Sequence, residues 1–257
     1  MMSILFDDFS AFCFLSGGRL CYNLVMEIVQ LQPTHAAAAA RLHIAGQPGT
    51  FLTHLGPEIL TLFYQTLPQS PSSFGFAMIE GAFLSQRQPR YATAVEQNSI
   101  SACLGFVAAT TSIGQLFINL GTHHIFQFLP LLLKRYRQQP RLLLHSLQTL
   151  AYPLRAHGLG INQAADKPQQ DLPPASAELL SIMVESQYRS NGIGHQLLEQ
   201  LIATCCKRNL QALDVTVDAT NQRARCFYAR HGFVETATFT LYGRTMCRYR
   251  KALFLRL

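Results

Sequence analysis

"QYRSNGIGHQLLEQL", Gln187 to Leu201, joins an arginine and two glycines to leucines at helical spacing. Ile193, Leu197, Leu198, Leu201, Ile202 and Cys205 fall on one face of a helix, which must pack by that face. Upstream, "ELLSIMV" (178–184) reads as a strand, so "ESQYRSNGIG" is a strand-to-helix turn. The first turn of such a helix has N–H groups without helical partners at the positive end of its dipole. Glycines there let a phosphate approach the backbone. Arg189 adds a charge that can contact the same group. The segment has the makings of a pyrophosphate cradle.

The flanking residues narrow down whose phosphate it holds. A dinucleotide fingerprint needs G-x-G-x-x-G, and Gly192 and Gly194 supply the first two positions, but Leu197 fills the third. Asp214 stands about 20 residues on, where a ribose-binding acid would belong, but a single coincidence is weak support. A P-loop would need Gly-Lys followed by Ser or Thr, which this turn lacks.

Outward from the turn, the chain reads as alternating strands and helices. "EIVQLQ" (27–32) alternates as a first strand, and Pro33 opens the helix "THAAAAARLHIA". "GPEILTLFYQTL" (56–67) is a second helix, with Ile59, Leu60, Phe63 and Leu67 at helical spacing. "RYATAVEQ" and "ISACLGFVAATT", separated by "NS", read as an antiparallel hairpin. Two apolar helical segments follow, "FQFLPLLLKRY" and "RLLLHSLQTLAYPL", and then the polar, proline-bearing loop "LGINQAADKPQQDLPPAS". Beyond the quoted helix come a strand "ALDVTV", a helix "NQRARCFYARH" closed by Gly232, and a strand-rich end. This order is that of a mixed α/β fold.

Composition excludes several function classes. The chain has 257 residues, of which 49% are hydrophobic and 14% charged, enough for a full core in one domain. A net charge of +7 suits an anionic partner. The basic residues are scattered, with small clusters at Lys134, Arg135, Arg137, Arg141 and at Arg244, Arg248, Arg250, Lys251, so no nucleic-acid groove is expected. The seven cysteines (13, 21, 103, 205, 206, 226, 247) form no C-x-x-C pair, so neither a disulfide framework nor a metal site is expected, and the location expected is cytoplasmic. No run reaches the roughly 18 apolar residues of a membrane span. Asp7 and Asp8 sit where a signal peptide needs positive charge. The domain is expected to cover 26–257, with 1–25 a poorly ordered extension or a mis-assigned translation start.

Two spaced motifs occur in order with a strand between them. R-x-x-G-x-G stands at Arg189, Gly192 and Gly194, and "N..A..FY...GF" at Asn221, Ala224, Phe227, Tyr228, Gly232 and Phe233. Over residues 177–234 the chain resembles the GNAT superfamily of acyl-CoA N-acyltransferases; over 26–111 only the element order does so. The resemblance implies a mostly antiparallel central sheet flanked by helices, and acetyl-CoA as acyl donor. Its acceptor would be an amine on a polyamine, an amino sugar, an antibiotic or a protein, and it would form a homodimer through the terminal strands. A non-catalytic CoA-binding sensor or interaction module is the alternative.

Carried over residue by residue, the resemblance gives a site. The strand before the turn splays from its neighbour, and the backbones of Met183 and Val184 meet pantetheine and the acetyl carbonyl. Arg189, Ser190, Asn191, Gly192, Ile193 and Gly194 hold the phosphates, Asn221 touches the cofactor arm, and Tyr228 protonates the leaving thiolate. The amine attacks directly. Glu178 is the candidate general base, because even spacing places it on the same face as Val184; an exposed strand-end glutamate and a water relay compete with this reading. Glu96 and His124 are weaker candidates. His195 and His231 read as helix-surface residues, and Phe227 and Phe233 as core. About 65 residues separate Thr111 from Glu178, where the family uses a short connection. A helical insertion over about 112–176 is therefore expected, its helices at 123–156 covering the acceptor side.

Overall fold

The computed structural model describes residues 25–81, 102–123, 125–140, 142–143 and 177–253. Seven strands form one sheet in the order β1-β2-β3-β4-β5-β7-β6. They are β1 (Val25–Gln30), β2 (Ser73–Gly81), β3 (Cys103–Thr110), β4 (Ala177–Val184), β5 (Ala212–Asp218), β6 (Val234–Leu241) and β7 (Arg244–Ala252). Every neighbouring pair is antiparallel except β4–β5, which is parallel. The expected mixed, mostly antiparallel sheet flanked by helices is present.

One face carries α1 (Ala36–Gly46), α2 (Phe51–Leu55) and α3 (Pro57–Thr66), with α4 (Ile113–His123) and α5 (Ile125–Gln138) beside them. Ala39, Ala40, Leu60, Tyr64, Phe106, Leu116 and Phe128 are buried in that layer. The other face carries α6 (Ile193–Lys207) and α7 (Gln222–Arg230) over Leu179, Val215, Val217 and Phe233. Ile193, Leu197, Leu198, Leu201 and Cys205 are all buried, which is the face read from the leucine spacing. Between α7 and β6, Gly232 has φ +77, a backbone state that glycine adopts without a Cβ penalty.

The hairpin is placed differently from the sequence reading. β3 forms as expected, but it pairs with β2 and β4, and "RYATAVEQ" (91–98) lies outside the described residues. β2 escaped because Gly75 and Gly81 interrupt its apolar pattern. At Gly75 a Cβ would collide with the Val107 carbonyl, so close strand packing requires the glycine. Helix α4, "IGQLFINLGTH", was also missed, whereas α5 covers "FQFLPLLLKRY". Arg135 on α5 donates from Nε to the Leu55 carbonyl at the end of α2 (2.9 Å). Most of "RLLLHSLQTLAYPL", the linker after it, Glu96, His124 and residues 1–24 fall outside the described residues.

No single helix among the described residues is long and apolar enough to cross a membrane. The described cysteines, Cys103, Cys205, Cys206, Cys226 and Cys247, are all free. Burial pushes the Cys103 thiol up to about 11 and the Cys205 thiol up to about 12, so neither supplies a reactive thiolate near neutrality.

Candidate acyl-CoA site

β4 has one fully paired edge and one partly paired edge. It pairs with β3 from Glu178, opposite Thr110, to Val184, opposite Gly105. Its pairing with β5 runs only over Ala177↔Leu213, Glu178↔Asp214 and Leu179↔Val215. From Leu180 onward the two strands diverge, which is the splay implied by the resemblance.

The hydrogen-bond phase of the β3 edge determines which backbone groups face the gap. Glu185 N–H donates to Leu104 O (2.9 Å), so those two residues form a bonded pair. In an antiparallel pair bonded and non-bonded positions alternate. Met183 is therefore bonded to Phe106, whereas the N–H and C=O of Ile182 and Val184 point away from β3 into the gap. The Met183 backbone thus faces β3, and the Ile182 and Val184 backbones face the gap. The Met183 side chain is buried on the α1 face, where a Cβ on Gly46 would stand 2.7 Å from its Sδ.

A bulge in β4 decides which face Glu178 takes. β4 bulges at Leu180, where Ala108 pairs with Ser181 and Ala109 with Leu179. A bulge shifts the alternation by one residue. Ala177, Leu179, Ile182 and Val184 therefore pack toward α6 and α7, and Leu180 and Met183 toward α1 and α3. Even spacing had put Glu178 and Val184 on one face, but the bulge puts them on opposite faces. Thr216 Oγ1 donates to Glu178 Oε1 at 3.5 Å.

The turn after β4 has the shape of an anion cradle. Ser186–Tyr188 form a 3-10 turn, Ser190 has φ 71, and Gly192, the N-cap of α6, has φ 82. Such left-handed positions turn successive N–H groups into one concavity. The first helical bond is Gln196 N–H to Gly192 O (3.0 Å), so the N–H groups of Ile193, Gly194 and His195 precede it. A Cβ on Gly192 would meet no atom within 4 Å, so the cradle opens outward. Gly194 is confined: a Cβ there would lie 3.7 Å from the Phe227 ring and 3.8 Å from Val184 Cγ2. Arg189 donates from Nε to Val184 O (3.0 Å), which joins the cradle to the last residue of β4. Its Nη2 lies 3.9 Å from where a Gly46 Cβ would be.

Helix α7 lies against the start of α6. Asn221 is its N-cap, with Oδ1 accepting from Ala224 N–H (3.1 Å), so this side chain has a structural task beside any contact with a ligand. Tyr228 is 4% exposed and stacks edge-on with Phe227 and Phe233 at 5.4 and 5.3 Å. Burial pushes its phenol above the ordinary tyrosine range and keeps it protonated. Among the described residues its hydroxyl makes no hydrogen bond. Phe233 is core as expected, and Phe227 lines the approach to Gly194.

Sequence reasoning missed a buried polar network behind the β4 bulge. Tyr64 Oη donates to Ser181 Oγ (3.0 Å) and stands 2.6 Å from His43 Nδ1. Because the phenol's one proton goes to Ser181, His43 Nδ1 carries the proton of the second bond. Nε2 is buried without a partner among the described residues. Burial lowers the His43 pKa to about 4, so the ring is neutral at pH 7. The only signal in the sequence was a histidine on the buried face of an alanine-rich helix. Asp214, the coincidental ribose-binding acid, is 2% exposed and takes a bidentate pair from Arg250 (2.6 and 2.8 Å), which is a structural role.

Comparison with known proteins agrees with this geometry. The model of the Acetyltransferase (GNAT) family matches residues 158–233, the segment that runs through β4, the cradle and α7. Among solved structures, SsHAT matches at a TM-score of 0.55 and 16% identity, over 89% of this chain and 98% of its own. A protein from Desulfovibrio desulfuricans described as a GNAT-family acetyltransferase matches at 0.50 and 11% identity, over 90% of this chain and 100% of its own. Family match and fold coincide on the same residues: the segment from β4 to α7 is similar to the Acetyltransferase (GNAT) family, and the fold is the one these acetyltransferase structures share.

Proposed function

We propose that the chain transfers an acetyl group from acetyl-CoA to an amine by direct attack. The observation that carries this reading is the divergence of β4 from β5 after Leu179, with the glycine cradle at the end of the diverging strand. Pantetheine adds along the open edge of β4, where the N–H of Ile182 and the N–H of Val184 face it. The Val184 carbonyl is shared with Arg189. The pyrophosphate sits on the backbone of Arg189, Ser190, Asn191, Gly192, Ile193 and Gly194, and the amide of Asn221 contacts the cofactor arm. A cradle of N–H groups at a helix N-terminus suits a doubly charged diphosphate.

The chemistry follows from that pose. The amine lone pair attacks the thioester carbonyl, and a backbone N–H of the β4 edge stabilises the developing oxyanion. The C–S bond then breaks, and Tyr228 protonates the departing thiolate. Burial keeps its proton in place and also makes the phenol a weaker acid, so the proton passes only as charge develops on the sulfur. The amine's proton leaves to Glu178 through water, on the sheet face that carries α1 and α3. No covalent enzyme intermediate is required. Helices α4 and α5 lie on that same face and shape the acceptor side.

The test is thiol release from acetyl-CoA across a panel of primary amines, repeated with Tyr228→Phe. Amine-dependent release that falls in the variant, with acetyl-CoA affinity unchanged, supports the enzyme and the acid. Acetyl-CoA binding with no release for any amine would favour the non-catalytic CoA-binding module.

A further inference from the structure

Outside the acyl-CoA site, three metal-capable side chains meet where α6 begins and α7 ends. His195 follows the last cradle residue, and Glu199, one turn on, shares its helix face. His231 is the C-cap of α7. His195 Nδ1 stands 2.8 Å from His231 Nε2, and one ligand atom from each of the three residues falls within 4.8 Å of the others.

The second contact of His231 determines what this cluster can do. His231 Nδ1 lies 2.7 Å from Phe227 O, and a carbonyl can only accept, so the ring proton is on Nδ1. Nε2 is then the acceptor of the 2.8 Å contact, so His195 Nδ1 carries the proton between the rings, and a metal ion would displace it. The Phe227 ring, 4.4 Å from the imidazole, holds it in that orientation. A histidine anchored through one nitrogen on a backbone carbonyl, with its other nitrogen toward a cluster, is preset as a metal ligand. Lys251 donates to His231 O (2.5 Å), which turns its charge onto the backbone and away from the ring nitrogens.

We propose that His195, Glu199 and His231 bind a divalent transition metal ion, of which Zn2+ is the best match. Two imidazole nitrogens and one carboxylate leave a fourth tetrahedral position for water. Ligand nitrogens on a tetrahedral zinc lie about 3.3 Å apart, so the two rings need to separate only slightly. His195 and Glu199 are exposed and free to adjust. The ion would tie the first turn of α6 to the end of α7, the two helices that carry the cradle and Tyr228. Acyl transfer uses none of the three side chains, so this site stands or falls on its own.

The test is titration of the untagged, metal-free full chain with Co2+, followed by visible absorption. The expected result is a d–d band of four-coordinate intensity that saturates at one equivalent and disappears when Zn2+ is added. Zn2+ should also raise the melting temperature. Glu199→Gln, on an exposed helix face, should melt like the metal-free wild type and bind Co2+ at least tenfold more weakly, and His195→Ala should lose the band. No saturable band would overturn the site. So would a band that both variants retain, or a thiolate-to-cobalt charge-transfer band, which would assign the metal to cysteines.

Discussion

The two edges of β4 contrast. Toward β3 the pairing runs from Glu178 to Val184 with one bulge at Leu180, and behind that edge lies dense packing. Toward β5 the pairing ends after three residues, and backbone groups are left facing a gap. A buried strand edge with unpaired N–H and C=O groups is costly unless something completes it. One edge is thus a wall and the other a slot that an extended ligand can finish. The glycine turn lies at the far end of the slot, the polar network of Tyr64 and Ser181 lies behind β4, and the Asp214–Arg250 ion pair joins β5 to β7.

The largest effect should come from the ion pair that ties β5, the far bank of the slot, to β7. Asp214 is buried and depends on Arg250, so Arg250→Met leaves a carboxylate stranded in the sheet. Urea denaturation should show a loss of about 3–5 kcal/mol.

Next is the pH dependence set by the network behind the bulge. Burial lowers the folded-state pKa of His43 from 6.5 to about 4, so the unfolded chain takes up a proton first as pH falls. The stability this contributes is complete above pH 6.5 and is lost as pH falls through about 4. It amounts to roughly 3 kcal/mol. Urea unfolding at pH 7 and pH 4 should show the loss, and His43→Gln should flatten that interval.

The slot is probed by Tyr228→Phe, which keeps the buried ring and removes the proposed acid. Steady-state kinetics should show kcat falling about a hundredfold at an unchanged Kd for acetyl-CoA. The smallest effect belongs to Gly105, where a Cβ would stand 2.8 Å from Met183 O and 3.3 Å from Ile193. Gly105→Ala should cost about 1–2 kcal/mol in thermal or urea unfolding by pushing β4 from β3. An unchanged stability would mean that the wall is more pliable than its packing suggests.

Legibility in the sequence follows the same division. The cradle, α6, α7 and Tyr228 could be read because each combines a local period with residues that tolerate few substitutes: glycine where φ is positive, and leucine every turn. What failed depended on partners distant in sequence. The bulge at Leu180 is invisible in "ELLSIMV" yet reverses the face of Glu178 relative to Val184. The phase that turns the Ile182 backbone to the slot and the Met183 backbone to β3 is set by Leu104 across the sheet. Nothing in the sequence around Tyr64 marks its bonds to Ser181 and His43, which come from β4 and α1. His195 and His231, read as surface residues, lie 36 positions apart and meet only in the fold.

The most direct test of the acyl-CoA slot is calorimetric titration with acetyl-CoA of the wild-type protein and of Gly192→Glu, with folding of both checked by circular dichroism. A Cβ at Gly192 opens onto free space, so the carboxylate extends into the cradle, at the cost of some strain at φ +82. The account predicts one acetyl-CoA per wild-type chain and at least a hundredfold weaker binding to a folded variant. No binding by the wild type, or equal binding by both, would contradict it.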